Sequence, residues 1–111
     1  MIRNGEIVVD RKRLMVAHRG VECFWHSRRN VGCHNYQFEL AWHLILSGGM
    51  TARRLFDLLY AGDAGGGPLD GHHVIWVYLA HLKPWLARLG LEIRSRRSVE
   101  GKRYFIVPID A

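Results

Sequence analysis

The stretch spanning residues 70–90, DGHHVIWVYLAHLKPWLARLG, decides the fold. Within it Ile75, Leu79, Leu82, Leu86 and Leu89 recur at spacings of 4, 3, 4 and 3, which traces one narrow stripe along a helix. Asp70 is placed to cap the start of that helix, and Gly90 to close its end in a left-handed conformation. The other side carries His73, Val77, Ala80, His81, Pro84 and Arg88, without the Lys and Glu of an ordinary solvated face. The pattern predicts a helix that buries one side and presents the other to a partner. Pro84 has no N–H for the Ala80 carbonyl, so it predicts a bend that turns residues 85–89 away from that partner. The presenting segment is then residues 71–83, with the remainder holding the C-terminal hairpin. A break, with Pro84 opening a separate helical turn, is the other outcome.

Upstream, the first third of the chain reads as short strands. Residues 6–10 (EIVVD), 14–17 (LMVA) and 21–26 (VECFWH) are β-branched or apolar runs. The turns between them are Arg11-Lys12-Arg13 and His18-Arg19-Gly20. Such a meander needs a helical layer over one face. Residues 27–32 are polar and loop-like. Asn35 is a candidate N-cap for a helix over 36–46 that ends at Ser47-Gly48-Gly49, with Phe38, Ala41, Leu44 and Ile45 on one face. Thr51 caps a second helix over 52–60, whose Leu55, Leu58 and Leu59 point inward. Its first turn holds Arg53 and Arg54, where the helix dipole disfavours positive charge and a nearby phosphate would favour it.

The connector AGDAGGGP at 61–68 lacks the Lys-Ser/Thr of a phosphate-binding loop and follows a helix, which argues against nucleotide binding of that type. Beyond the long helix, residues 91–94 and 103–107 pair as a hairpin around a basic tip at 95–102, with Leu91 alternating with Ile93 and Tyr104 with Ile106. The reading is thus one α+β domain over residues 1–111: a meander at 1–34, a three-helix core at 35–90 and a hairpin at 91–109.

Charge is distributed unevenly. The chain of 111 residues carries a formal net charge of +6. Residues 71–107 contribute seven Lys and Arg against two Glu, whereas residues 1–70 contribute nine against seven acidic residues. A basic surplus beside the long helix is the footprint expected of a polyanion-binding face, although a solvated basic face has the same composition. Two cysteines, Cys23 and Cys33, do not make a disulfide framework and fit reduced, cytoplasmic thiols. The N-terminus has no apolar core of a signal peptide, and no apolar run approaches the ~20 residues of a membrane span.

Cys23, His26, Cys33 and His34 invite a zinc reading. Cys23 and His26 fall three apart on a predicted strand, which points them to opposite faces, and adjacent Cys33 and His34 suit a tetrahedral site poorly. Packed cysteines with surface histidines are the simpler account, so no metal or other cofactor is expected. No nucleophile-base or paired-carboxylate spacing supports catalysis, and the chain is not expected to be an enzyme.

The run from residue 38 to 107 resembles the winged helix-turn-helix effector domain of OmpR/PhoB-type response regulators. Family members carry a Glu-Phe-x-Leu-Leu helix, a Gly-containing turn, a Val-x-Val-His-Ile-x-x-Leu-Arg-x-x-Leu recognition helix and a Gly-Tyr-Arg-like last strand. The matching segments here are Gln37-Phe38-Glu39-Leu40-Ala41, then IWVYLAHLKPWL over 75–86, then Gly101-Lys102-Arg103-Tyr104-Phe105. The meander corresponds to the family's leading three- or four-stranded antiparallel sheet.

What the resemblance implies is sequence-specific double-stranded DNA binding by a transcriptional regulator, here without a receiver domain and with a homodimer on DNA as one arrangement. It makes His73 and Tyr78 phosphate contacts, Val77 an apolar base contact, and His81 a reader of base edges. Lys83 binds phosphate or guanine. On the wing, Arg96, Arg97, Lys102 and Arg103 meet phosphate or the minor groove, and Arg53 and Arg54 add to affinity. Where the family usually has arginines this chain has Ala80, His81 and Pro84, and where it often has Asp this one has Trp76. Trp76 either packs beneath the first helix or wing, or stands in the interface. A more apolar face also suits a winged-helix protein-interaction module contacting a polymerase subunit or another regulator, since aromatic residues concentrate in interface hot spots.

Overall fold

The computed structural model describes residues 2–25, 36–62, 65 and 71–109. The Asn35 and Asp70 caps, the loop at 27–32, residues His26, Cys33 and His34, and most of the Gly-rich connector fall outside the described residues.

The chain begins with four antiparallel strands in sequence order, β1 (Ile2–Asn4), β2 (Ile7–Asp10), β3 (Met15–His18) and β4 (Val21–Phe24). β1 is an addition to the three strands expected from the alternation. It is three residues long and joins β2 through Gly5-Glu6, with Gly5 at φ 61°. β3 and β4 are joined by Arg19 and Gly20, at φ 51° and 83°, the paired positive φ values that match the twist of a two-residue hairpin. Arg13 N donates to Asp10 Oδ1 at 3.2 Å in the connection between β2 and β3, and the Val9↔Val16 rung buries both side chains.

Helix α1 (Tyr36–Ser47) follows, then the two-residue strand β5 (Met50–Thr51), α2 (Ala52–Leu59) and α3 (Gly71–Arg88). The hairpin of β6 (Leu91–Ser98) and β7 (Gly101–Pro108) completes a second antiparallel sheet in the order β5-β7-β6. β5 has no signature in the sequence: two residues are too few for a periodic signal, and they become a strand only because β7 offers Tyr104 and Arg103 as partners.

All five stripe residues are buried, four on α3 and Leu89 immediately after it. They meet Phe38, Leu40, Ala41, Leu44 and Ile45 of α1, Leu55 of α2, Leu91 and Ile106 of the hairpin, and Ile7, Val9 and Val16 of the first sheet in a single core. Thr51 caps α2, its Oγ1 accepting from Arg54 N at 3.2 Å. Gly90 closes α3 at φ 72° and donates to the Ala87 carbonyl at 3.0 Å.

Pro84 lies within α3 without ending it. The break is therefore overturned, because Trp85, Leu86 and Leu89 beyond it are buried and hold the last turns in register. They hold the first sheet as well as the hairpin. Trp85 Nε1 donates to the Phe24 carbonyl at 3.2 Å and its ring meets Trp25 edge-on at 5.4 Å. His18, only 2% exposed, donates from Nδ1 to the Leu89 carbonyl at 2.7 Å.

Gly71 opens α3 against the ring of Phe56, where an added Cβ would come within 2.7 Å of the ring carbons. Phe56 in turn rests on Tyr60 at 4.9 Å between ring centroids. Alanine favours a helix by up to about 1 kcal/mol over glycine, but crowding of this kind costs about 1–3 kcal/mol. Gly71→Ala should lower stability by about 1 kcal/mol in urea unfolding, and Phe56→Leu in the same chain should relieve most of the loss.

Half-buried His43 on α1 gives a pH dependence. Burial holds its imidazole below the ordinary 6.5, Glu39 opposes this, and Arg11 and Arg54 reinforce it. As pH falls below about 6.5 the unfolded chain takes up this proton first, so the folded state loses stability through that window. His43→Gln should flatten that part of the profile, read from urea midpoints on either side of pH 6.5.

Candidate nucleic-acid interface

Burying the leucine stripe fixes the rotation of α3 and so decides what faces outward. His73, Trp76, Ala80, His81, Lys83, Pro84 and Arg88 are exposed, and Val77 is half-buried. Trp76 is 63% exposed, which overturns its packing beneath α1 or the hairpin. Its ring lies nearly parallel to His73, one turn earlier, at 6.4 Å.

Tyr78 has a different setting. Its hydroxyl is hydrogen-bonded to that of Tyr60 at 2.8 Å, and its ring stacks on Tyr36 at 6.2 Å. It ties the start of α1 and the end of α2 to the middle of α3 rather than standing on the outer ridge with Trp76.

The hairpin is longer than the alternation suggested. Both strands run eight residues, closed by Val99-Glu100 and by Gly101 at φ 118°. Arg96, Arg97, Lys102 and Arg103 therefore stand on paired strands and not in a loose tip: Arg96 opposes Arg103, and Arg97 opposes Lys102. Pairing like charges across two successive rungs is locally unfavourable, so nothing in the local pattern marks these residues as strand. The long register is carried by Leu91, Ile93 and Ile106 further down.

Alternation then splits the four cations between two faces. Arg97 and Lys102 share a face with Ile93, Ser95, Tyr104 and Ile106, the side packed on α3. There a cleft of about 350 Å³ opens between Trp76, Ala80 and Lys83 of α3 and Arg94, Ser95, Lys102 and Tyr104 of the hairpin. Lys102 Nζ lies 5.7 Å from the Tyr104 ring centroid. Arg94 is neutralised by Glu92, Nε to Oε1 at 2.6 Å.

Arg96 and Arg103 occupy the opposite face with Phe105, beside the turn Gly48-Gly49. Arg103 donates from Nη2 to the Gly49 carbonyl at 3.1 Å. Because β5 pairs with β7, the N-terminus of α2 is drawn to the same place, and Arg54 and Arg103 line one depression with Glu100. Arg53 is separated from them and lines another with Phe56, Asp57 and Gly71. The predicted residues thus form two basic groups flanking the hairpin, with His73, Trp76 and His81 on the ridge beside one of them.

Sequence reasoning missed Arg94 and Tyr104 as members of the cleft. Period-2 alternation says which face Tyr104 takes, but only the packing of the hairpin on α3 says that its face remains partly open. Half-buried Cys23 is a free thiol, and among the described residues no group of three His, Cys, Asp or Glu is arranged to hold a metal. No described helix is long and apolar enough to cross a membrane.

No family model, curated protein or solved structure matches the chain.

Arg97→Glu should convert its rung with Lys102 from repulsive to attractive. It should raise stability by about 0.2–1 kcal/mol at low ionic strength, a gain that fades in thermal melts at high salt.

Proposed function

We propose that this chain binds double-stranded DNA as a winged helix, with α3 as the recognition helix and the β6–β7 hairpin as the wing. The observation that carries this reading is the pair of like-charge rungs, Arg96–Arg103 and Arg97–Lys102, set beside an exposed helix ridge. Four cations pinned on adjacent rungs raise the energy of the free protein unless a polyanion neutralises them. The order of elements supports the same reading: a leading antiparallel sheet, three helices with α2 and α3 packed together, and a final hairpin. Apart from β1 and the inserted β5, that order is the one expected from the resemblance to OmpR/PhoB-type effector domains, and a cytoplasmic transcriptional regulator is the role that the proposal implies.

An α-helix fits the major groove, and here the exposed ridge of α3 enters it. Val77 and His81 meet base edges, with Val77 suited to a thymine methyl, while His73 and Lys83 lie toward the phosphates. Arg97 and Lys102 on one side of the wing, and Arg96 and Arg103 on the other, straddle a strand of the backbone. Arg54, drawn to Arg103 by the β5–β7 pairing, adds a contact at the N-terminus of α2. Tyr78, bonded to Tyr60, acts by positioning the ridge. Phosphate contacts supply affinity and its salt dependence, and the few ridge residues supply sequence preference. A second copy on an adjacent half-site is compatible with this arrangement.

The exposure of Trp76 favours a second reading, a protein-interaction surface for a polymerase subunit or another regulator. Salt separates the two. DNA binding through these six cations (Arg54, Lys83, Arg96, Arg97, Lys102 and Arg103), one phosphate each, should weaken by roughly three orders of magnitude between 50 and 200 mM salt. Arg97→Ala with Lys102→Ala should reduce the log–log slope by about 2 on every sequence. His81→Ala or Val77→Ala should instead change which sequence is preferred. Failure to bind any duplex at low salt, or a flat salt dependence, would sink the DNA reading.

A further inference from the structure

The cleft between α3 and the hairpin has a chemistry that an intact duplex does not use. In a duplex the bases are stacked, and a protein in the groove meets only their edges. Trp76 presents a broad indole, 63% exposed, at the rim of a cleft whose inner surface includes Leu79, Ile93 and the half-buried ring of Tyr104. Aromatic walls of this kind are matched by the face of a planar ring, which only an unstacked base offers.

The same cleft is lined by Lys83 and Lys102, and no described carboxylate lines it. Arg94 already has Glu92 as its counter-ion, whereas the two lysines take part in no ion pair among the described residues. Lysine ammoniums act as point charges suited to phosphate, and the Ser95 hydroxyl adds a donor. A volume of about 350 Å³ lies at the small end of ligand sites, the size for one nucleotide rather than two.

We propose that this cleft binds a single unpaired nucleotide, with its base against Trp76 and its phosphate between Lys83 and Lys102. The nucleotide is either free in solution or extruded from a DNA strand. Only the second source rests on the DNA-binding reading above.

Fluorescence anisotropy of the full chain with two labelled duplexes, identical except for one unpaired thymidine, tests the extruded source. Thymidine monophosphate, followed by quenching of tryptophan emission, tests the free one. The bulged duplex should bind about tenfold more tightly than the intact one. Trp76→Ala should bring the ratio of the two affinities to about one, and Trp76→Phe should restore most of it. Thymidine monophosphate should quench the wild-type chain but not Trp76→Phe, and Lys83→Ala should weaken its binding. Trp76 is on the surface, and circular dichroism of each variant confirms that the fold is retained.

A bulge preference that depends on Trp76, or Trp76-dependent quenching by the mononucleotide, supports the site and says which source it uses. Intact-duplex binding with no bulge preference and no quenching overturns the site and leaves the DNA reading standing. Quenching without binding to either duplex keeps the site and removes the DNA reading. A bulge preference that survives Trp76→Ala also overturns it.

Discussion

The burial of Ile75, Leu79, Leu82 and Leu86 is the constraint on which the rest of the molecule depends. Fully burying a Leu or Ile side chain is worth about 1.5–3 kcal/mol, so four in a row leave α3 one rotational setting. Turning the helix by even one position would expose a leucine and bury Trp76 or Lys83. The outward ridge is therefore a by-product of the stripe, and the hairpin, which packs Leu91, Ile93 and Ile106 against the same core, is registered to it. The cleft lies between α3 and the hairpin above this shared buried base, with Leu79 and Ile93 on its inner surface and Lys83 and Lys102 lining it.

The far end of α3 explains how the leading sheet is attached. Helix C-termini leave carbonyls without partners. The Leu89 carbonyl, next to the closing glycine, accepts from buried His18, and Ile109 N donates to the Gly90 carbonyl at 3.0 Å. The Trp85 indole reaches back to Phe24, the last residue of β4. Arg11 adds an outer tie, paired with Glu39 of α1 at 2.9 Å and lying over the Trp42 ring at 5.5 Å. Pro84 is tolerated at this position because it is exposed and the burial of the residues after it outweighs one missing helix hydrogen bond.

Elements with a sustained period were legible in the sequence. The α3 stripe, the apolar face of α1, strands β2 to β4, and the caps at Thr51 and Gly90 follow from alternation, 3–4 spacing and turn chemistry. The elements that escaped notice depend on partners distant in sequence. β5 is two residues stabilised by β7, the burial of His18 requires the end of α3, and β1 is too short to alternate. The hairpin was half legible: its apolar base reads as strand, while its cationic end reads as loop because local preference opposes pairing Arg with Arg and Arg with Lys. At the candidate site, residue types and their concentration were readable. Their division between two faces was not, since a period of two places Arg96 and Arg97 on opposite sides only once the strand is known to continue that far.

The cationic end of the hairpin is strand against its local preference, and that conflict is informative. Sequences usually agree with their folds at every level, and local conflict tends to fall where a molecule does its work. The upper rungs of the hairpin conflict with sheet stability twice over, by like charge across Arg96–Arg103 and across Arg97–Lys102. The protein tolerates this because the rungs are exposed, where water and salt screen the repulsion to a modest cost. A strand scaffold then holds the cations at fixed spacing on both faces, which a loose tip could not do. A partner gains from that order, because the side chains it meets have already lost much of their freedom before it arrives. The same reasoning applies to Trp76, which is kept out of the core by the leucines beneath it. Exposure of a large ring and crowding of charge both raise the energy of the free protein. Trp76 and Lys102 meet in one cleft, where the nucleotide proposed above would cover the ring and pair with the cation.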